Sequence, residues 1–341
     1  PLTSKDIFAN IDDVPPFTYR VVRNVRDGTP ARRLFAGSAI NTCRGSCPYE
    51  CIYCIGRNLG SLSGRETFTL HSPRWIINQM NLLLEERCYE FAFQDYLFLS
   101  GKKYLKELTY SIKKERLHEK TSGFNMTAIP GILDREILDE LSRAGCTNID
   151  YGAETGSDQI LKLLKRPTNK QLILESVRQT ISSGIIPFTW WMTGLPREGQ
   201  EEVKETLNLI KKTTELGAVP KWVTPLIVLP NTELFQKAEE FGVTTKLESF
   251  EDFAVFSDLI RKEVSQFPEA VSHETDRMSR DDIIGASVYL KSEIFREKDK
   301  TVKRFRRKYL KKVTERHPQL PSDGLMGNIE QILVLQRTAF Y

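Results

Sequence analysis

Between residues 32 and 242 the chain repeats one pattern six times: a short β-branched or aromatic run, then a segment with apolar residues at helical spacing. "RRLFAGSAIN" (32–41) precedes "SPRWIINQMNLLLEE" (72–86), where Ser72 suits an N-cap and Pro73 the first helical position. "CYEFAFQD" (88–95) precedes "KKYLKELTYSIKKERL" (102–117), and "FNMTAI" (124–129) precedes "DREILDELSRAG" (134–145). In the latter Asp134 can cap the helix and Gly145 can stop it. "TNIDYGAE" (147–154) is followed by "NKQLILESVRQTISSG" (169–184), and "IPFTWWMTG" (186–194) by "EEVKETLNLIKKTTELG" (201–217). "KWVTPLIVLP" (221–230) and "TELFQKAEEFG" (232–242) complete the series. Such alternation predicts a parallel sheet with right-handed crossovers and outer helices. Six units are too few for the closed eight-fold barrel, leaving an open partial barrel or a doubly wound sheet. In both, ligands gather at the C-terminal strand ends.

At that end of the first strand sits "SCPYECIYC" (46–54), with Cys47, Cys51 and Cys54 in nine residues and Cys43 just upstream. Thiolates so spaced on one loop can converge on a soft metal centre. Structural zinc would ask for two separated cysteine pairs, and the remaining cysteines, Cys88 and Cys146, are isolated. Clustered cysteines in a chain of 341 residues do not read as a secreted disulfide framework. A lone catalytic thiol does not account for three together. An iron–sulfur cluster with one iron left open fits both spacing and place.

Cys47-Pro-Tyr-Glu-Cys51-Ile-Tyr53-Cys54 resembles the CxxxCxxC signature of the radical S-adenosylmethionine (radical SAM) superfamily, including the aromatic Tyr53 before the last cysteine. The resemblance implies an α/β fold, a partial (β/α)6 TIM-like barrel over 32–242, after an N-terminal linker segment (1–31). Beyond it, 243–341 reads as a C-terminal helical region without intervening strands. The resemblance further implies a [4Fe–4S] cluster on Cys47, Cys51 and Cys54, with S-adenosyl-L-methionine on the open iron. Reduction by an external flavodoxin- or ferredoxin-type donor would yield a 5′-deoxyadenosyl radical that abstracts hydrogen from an unidentified organic substrate. Only one register gives the motif, since counting from Cys43 reaches Glu50, so Cys43 reads as a bystander.

Other strand ends resemble further SAM-binding elements of that superfamily. Gln94 and Asp95 stand where many members carry a glycine-rich segment, a departure from the pattern. "DYGAETGS" (150–157) is similar to the ribose-binding motif, which assigns Glu154 to ribose hydroxyls or the SAM ammonium. "TGLPREGQ" (193–200) resembles the stretch that approaches adenine, placing Gly194 and Pro196 there. Asn125, Thr127 and Arg166 are assigned to the same cavity. Adjacent Trp190 and Trp191 must point to opposite faces of a strand. His71, His118, His273 and His317 form no ligand-spaced cluster and read as surface or capping residues.

Residues 11–22 and 154–185 are similar to the subgroup that often carries a cobalamin-binding domain in front, which brings in cobalamin as a further cofactor and a C-methyltransferase or cyclase as an alternative activity. About 40 residues precede the cysteine loop, against roughly a hundred or more for such a domain. Loss of the domain, a late start of the chain and cobalamin-free chemistry all stay open. The stretch 298–316 has ten basic and two acidic residues. It reads as a docked helix with a solvated basic face, or as a platform for RNA, a phosphorylated substrate or an anionic membrane. A zinc-stabilised nucleic-acid-binding protein is the competing class, although a net charge of +4 does not itself imply nucleic acid. No apolar run approaches the roughly 20 residues that span a bilayer, and no signal-peptide pattern is present, so the expectation is a cytoplasmic protein with reduced thiols.

Overall fold

The computed structural model describes residues 10–16, 38–58, 60, 67–86, 88–93, 95, 100–245, 247 and 271–294. Its strands are β1 (Ser38–Ala39), β2 (Cys43–Arg44), β3 (Thr69–Leu70), β4 (Glu90–Phe93), β5 (Gly123–Ala128), β6 (Cys146–Glu154), β7 (Ile186–Thr193), β8 (Val219–Pro225), β9 (Val243–Thr245) and β10 (His273–Thr275). Its helices are α1 (Pro73–Glu85), α2 (Gly101–Lys114), α3 (Leu117–Lys120), α4 (Arg135–Arg143), α5 (Asp158–Leu163), α6 (Lys170–Ser182), α7 (Gln200–Leu216) and α8 (Glu233–Gln236). A further helix, α9, covers 280–294.

Helices begin where a short polar side chain takes up a free amide of the first turn. Ser72 accepts from Trp75 N (3.2 Å), Asp134 from Ile137 N (3.0 Å) and Asn169 from Leu172 N (2.9 Å). These caps open α1, α4 and α6. Gly217, at a φ of 109°, then closes α7 in the left-handed region that glycine tolerates.

Six strands form one parallel sheet in the order β1-β4-β5-β6-β7-β8. Neighbours in space are neighbours in sequence, with no reversal of order. A doubly wound sheet has such a reversal, so the arrangement is a partial TIM-like barrel. Side-chain alternation gives the sheet two faces. Along β6, Ile149, Tyr151 and Ala153 face the helices and are at most 1% exposed. Asp150, Gly152 and Glu154 take the opposite, inner face. Phe91, Phe124, Met126 and Tyr151 pack against Ile76, Met80, Leu105, Leu108 and Leu138 of α1, α2 and α4. Fully burying one such side chain stabilises the fold by about 1.5–3 kcal/mol. On β7, Trp191 is buried with Val203 and Leu207 of α7, whereas Trp190 is 37% exposed on the inner face.

Several expectations need correction. The last unit holds only the four-residue α8, and α5 adds a helix directly after the stretch read as a binding motif. The region after 242 is not purely helical, since β9 and β10 pair antiparallel. A second small ribbon, β2 with β3, lies around the cysteine loop. Met278, Ile283, Leu290 and Ile294 join the same apolar cluster as Trp191 and Val203, so α9 packs on the barrel. His71 and His273, read as surface or capping residues, are each 1% exposed. His71 Nδ1 lies 3.0 Å from Asp12 Oδ1 and the ring stacks on Trp75 at 3.7 Å. Gln94 and the basic stretch 298–316 lie outside the described residues. Among the described residues no helix is long and apolar enough to cross a membrane.

Candidate active site

The cysteine loop is fastened at its entry, its middle and its exit. At the entry, Asp95 accepts hydrogen bonds from the Thr42 amide, from Thr42 Oγ1 (2.6 Å) and from the Cys43 amide (3.0 Å). Cys43 is thereby fixed in the β2–β3 ribbon, 4% exposed. Gly45 then turns at a φ of 99°, and a Cβ there would stand 2.1 Å from the Thr67 carbonyl oxygen, so only glycine fits. In the middle, Ile52 is 1% exposed among Ile160, Leu164, Leu195 and Leu234. Its amide donates to Leu164 O (3.2 Å) and its carbonyl accepts from Leu234 N (2.9 Å). At the exit, Cys47 N donates to Gly56 O (2.9 Å) and Gly56 N donates to Cys54 Sγ (3.3 Å). Cys47, Cys51 and Cys54 are free and partly exposed. Burial pushes the Cys47 and Cys54 thiols up, and neighbouring cysteines of the trio push in the same direction.

The end of β6 faces this loop. Glu154 has a φ of 62°, and the register with β7 shifts between Gly152 and Glu154. A non-glycine residue in the left-handed region costs about 1–2 kcal/mol, and such outliers collect at functional sites. Glu154 Oε1 lies 3.4 Å from the Arg166 guanidinium, with side chains 12% and 8% exposed. Arg166 Nη2 donates to Gly152 O (2.7 Å) and Nη1 to Cys51 Sγ (3.7 Å). Burial alone would weaken the Arg166 charge; Tyr53, Glu154 and Cys51 around it reverse that and hold its pKa above the ordinary value. Burial, and next the Glu154 carboxylate, push the Tyr53 phenol well above its usual range. A Cβ at Gly152 would meet Glu154 Oε1 at 2.5 Å, so a larger residue there would displace the Glu154 carboxylate.

The remaining residues assigned from sequence divide into two groups. Asn125 and Thr127 lie on β5 next to β6, and Thr127 Oγ1 donates to Asp95 O (3.0 Å). Gly194 and Pro196 lie in the loop after β7, and the space a Cβ would fill at Gly194 is taken by His273 and Ile283, each at 2.9 Å. The Gly194 amide donates to Glu198 Oε2 (2.6 Å), and its carbonyl accepts from His273 Nε2 (2.7 Å). The backbone here is bound to the protein's own C-terminal segment. Asp95 likewise has its carboxylate committed to Thr42 and Cys43.

Sequence reasoning missed the inner wall between these groups. Lys221 Nζ lies 3.1 Å from Asp150 Oδ2 and 5.2 Å from the ring centres of both Phe188 and Trp190. Burial raises the Asp150 pKa, and Lys221 and then Trp190 counter it. The pair joins residues 71 positions apart, and alternation of side chains along β6 was the one available signal.

The donor set suits a cluster better than a single ion. A mononuclear site needs its sulfurs all about 2.3 Å from one metal. A cubane spreads its thiolate ligands over separate corners, which three cysteines on one short loop can occupy.

Residues 43–210 match the sequence model of the Radical SAM superfamily. An uncharacterized methyltransferase of Pyrococcus horikoshii is 24% identical over 238 residues, which are 69% of this chain and 48% of that protein. A tRNA-2-methylthio-N(6)-dimethylallyladenosine synthase of Clostridium botulinum is 26% identical over 201 residues, 54% of this chain and 41% of that protein. The chain spans about half the length of the curated relatives it matches. Among solved structures, the radical S-adenosylmethionine methyltransferase TsrM of Kitasatospora setae, with cobalamin and a [4Fe-4S] cluster bound, gives a TM-score of 0.55 at 18% identity. The match covers 66% of this chain and 46% of that one, and it bears on the fold.

Proposed function

The chain belongs to the radical SAM superfamily, its domain spanning residues 43–210, and on that premise we propose that it is an enzyme that cleaves S-adenosylmethionine reductively to functionalise a C–H bond. Cys47, Cys51 and Cys54 would hold a [4Fe–4S] cluster, beside which S-adenosylmethionine would bind. When bound, the two supply a 5′-deoxyadenosyl radical and methionine after one-electron reduction. The protein's part is to bind, orient and exclude water. Ile52 fixes the loop, Glu154 offers a carboxylate to an ammonium or to ribose hydroxyls, and the inner face of β5 to β8 receives the substrate. Trp190 and Lys221 form the wall on which that substrate rests. The electron comes from an external flavodoxin- or ferredoxin-type protein, and reduced thiols of this kind suit the cytoplasm.

The observation that carries this reading is the fastened loop: three free cysteines at the C-terminal mouth of a six-stranded half-barrel, opposite Glu154 and Arg166. Anaerobically reconstituted protein with dithionite and S-adenosylmethionine is expected to form 5′-deoxyadenosine. Cys51→Ala should reduce the yield to background, and full yield from that variant would reject the assignment.

A second reading, cobalamin-dependent C-methylation or cyclisation, is favoured by the methyltransferase names among the relatives and by the fold shared with TsrM. Methylation would release S-adenosylhomocysteine alongside 5′-deoxyadenosine, so product analysis separates the two. The stretch 298–316 is proposed as a contact for an anionic partner. Salt-sensitive RNA or vesicle binding, lost on charge reversal at Arg304, Arg306 and Arg307, would support it.

A further inference from the structure

Each sulfur of the trio has a different N–H donor. Cys54 Sγ accepts from the Gly56 amide (3.3 Å), Cys47 from the Tyr49 amide, and Cys51 from Arg166 Nη1 (3.7 Å). The first two donors are neutral backbone dipoles. The third is a guanidinium, charged at every accessible pH. Its placement is determined by the local chain. Lys165, at a φ of 55°, turns the backbone after α5, and the Arg166 amide donates to Leu161 O (2.9 Å). Gly152 O and Glu154 then hold the other end of the guanidinium, whose side chain is 8% exposed. A full charge so buried acts through a low effective dielectric, where it is screened little by salt.

We propose that Arg166 sets the reduction potential of the cluster on Cys47, Cys51 and Cys54, raising it through a charged hydrogen bond to the Cys51 sulfur that Glu154 partly offsets. The inference rests on the cluster assignment made above. Reduction adds one electron, taken from an external one-electron donor, and that electron resides on the iron and its sulfurs. A positive hydrogen-bond donor at one sulfur stabilises the reduced form more than the oxidised one, so the potential rises; a carboxylate beside that donor has the opposite effect. The arrangement therefore predicts two shifts of opposite sign from two residues that touch each other.

The test is an anaerobic redox titration of the reconstituted full-length protein without S-adenosylmethionine, followed by electron paramagnetic resonance. Iron and sulfide per chain are measured on the same samples. Arg166→Gln should lower the equilibrium constant for reduction about tenfold, the size of one charge-assisted hydrogen bond, or about 59 mV downward for a one-electron couple. Arg166→Lys should recover part of the shift, and Glu154→Gln should move the midpoint upward. Unchanged midpoints in Arg166→Gln and Glu154→Gln, with full cluster content, overturn the inference. If Arg166→Gln loads no cluster, Glu154→Gln decides alone: an upward shift supports the proposal, and none rejects it. Failure of the wild-type protein to take up a cluster would instead reject the underlying assignment.

Discussion

At the scale of single residues, Glu198 connects burial to pH. Its side chain is fully buried, Oε2 takes the Gly194 and Leu195 amides, and Oε1 has no hydrogen-bond partner among the described residues. Burial pushes the carboxyl up to about 8 from an ordinary 4.5, outweighing those two amides. Between these values the unfolded chain has released a proton that the folded protein keeps. Folding therefore loses stability as pH rises through that window, by up to about 1.4 kcal/mol per pH unit, and the loss levels off above the folded value. Glu198→Gln should flatten the dependence, so that urea midpoints at pH 6 and pH 8 differ less than in the wild type. An unchanged slope would show that Glu198 is ionised when folded. The position could not be read as buried from sequence, because a glutamate in a loop looks solvated until the fold closes over it. His273 was misread for the same reason: its partner, Gly194, is 79 positions away.

At the scale of elements, legibility follows range. The order of the six strands and the starts of α1 and α4 can be read from the chain because hydrophobic period, caps and glycine stops are local signals. The ribbons β2–β3 and β9–β10 have strands of two or three residues, too short for a period to register. α5 is hidden because its six residues, Asp158–Leu163, directly follow the loop of the ETGS motif. Within that motif Gly156 has a packing reason, since a Cβ there would lie 2.3 Å from Glu205 O of α7. The cysteine spacing is legible, but what holds the loop is not: the clamp on Ile52 comes from Leu164 and Leu234, 112 and 182 positions away. Ile52→Ala should destabilise the protein by about 2–5 kcal/mol in urea unfolding, as a cavity among buried apolar neighbours does. It should also lower iron uptake with all three cysteines present. Wild-type stability together with wild-type uptake would show that the loop is held by something else.

For the whole molecule, the C-terminal segment closes against the loop after β7. Arg197 pairs with Asp276, Arg277 Nη1 donates to Glu202 Oε1 and to the Arg197 carbonyl (3.0 Å each), and Ile283 packs on Gly194. Residues assigned from family resemblance to the nucleoside side of the site are thus joined to α9, a connection with no sequence signature. Trp190 and Lys221, proposed above as the wall for the substrate, carry no sequence signal of what rests against them. The central claim is that Cys47, Cys51 and Cys54 bind a cubane rather than a single ion. Iron, zinc and acid-labile sulfide should be assayed in anaerobically reconstituted wild-type protein and in the variant with all three cysteines changed to alanine. The account predicts about four iron and about four sulfide per wild-type chain, and neither in the variant. About one zinc per chain with no sulfide would contradict it.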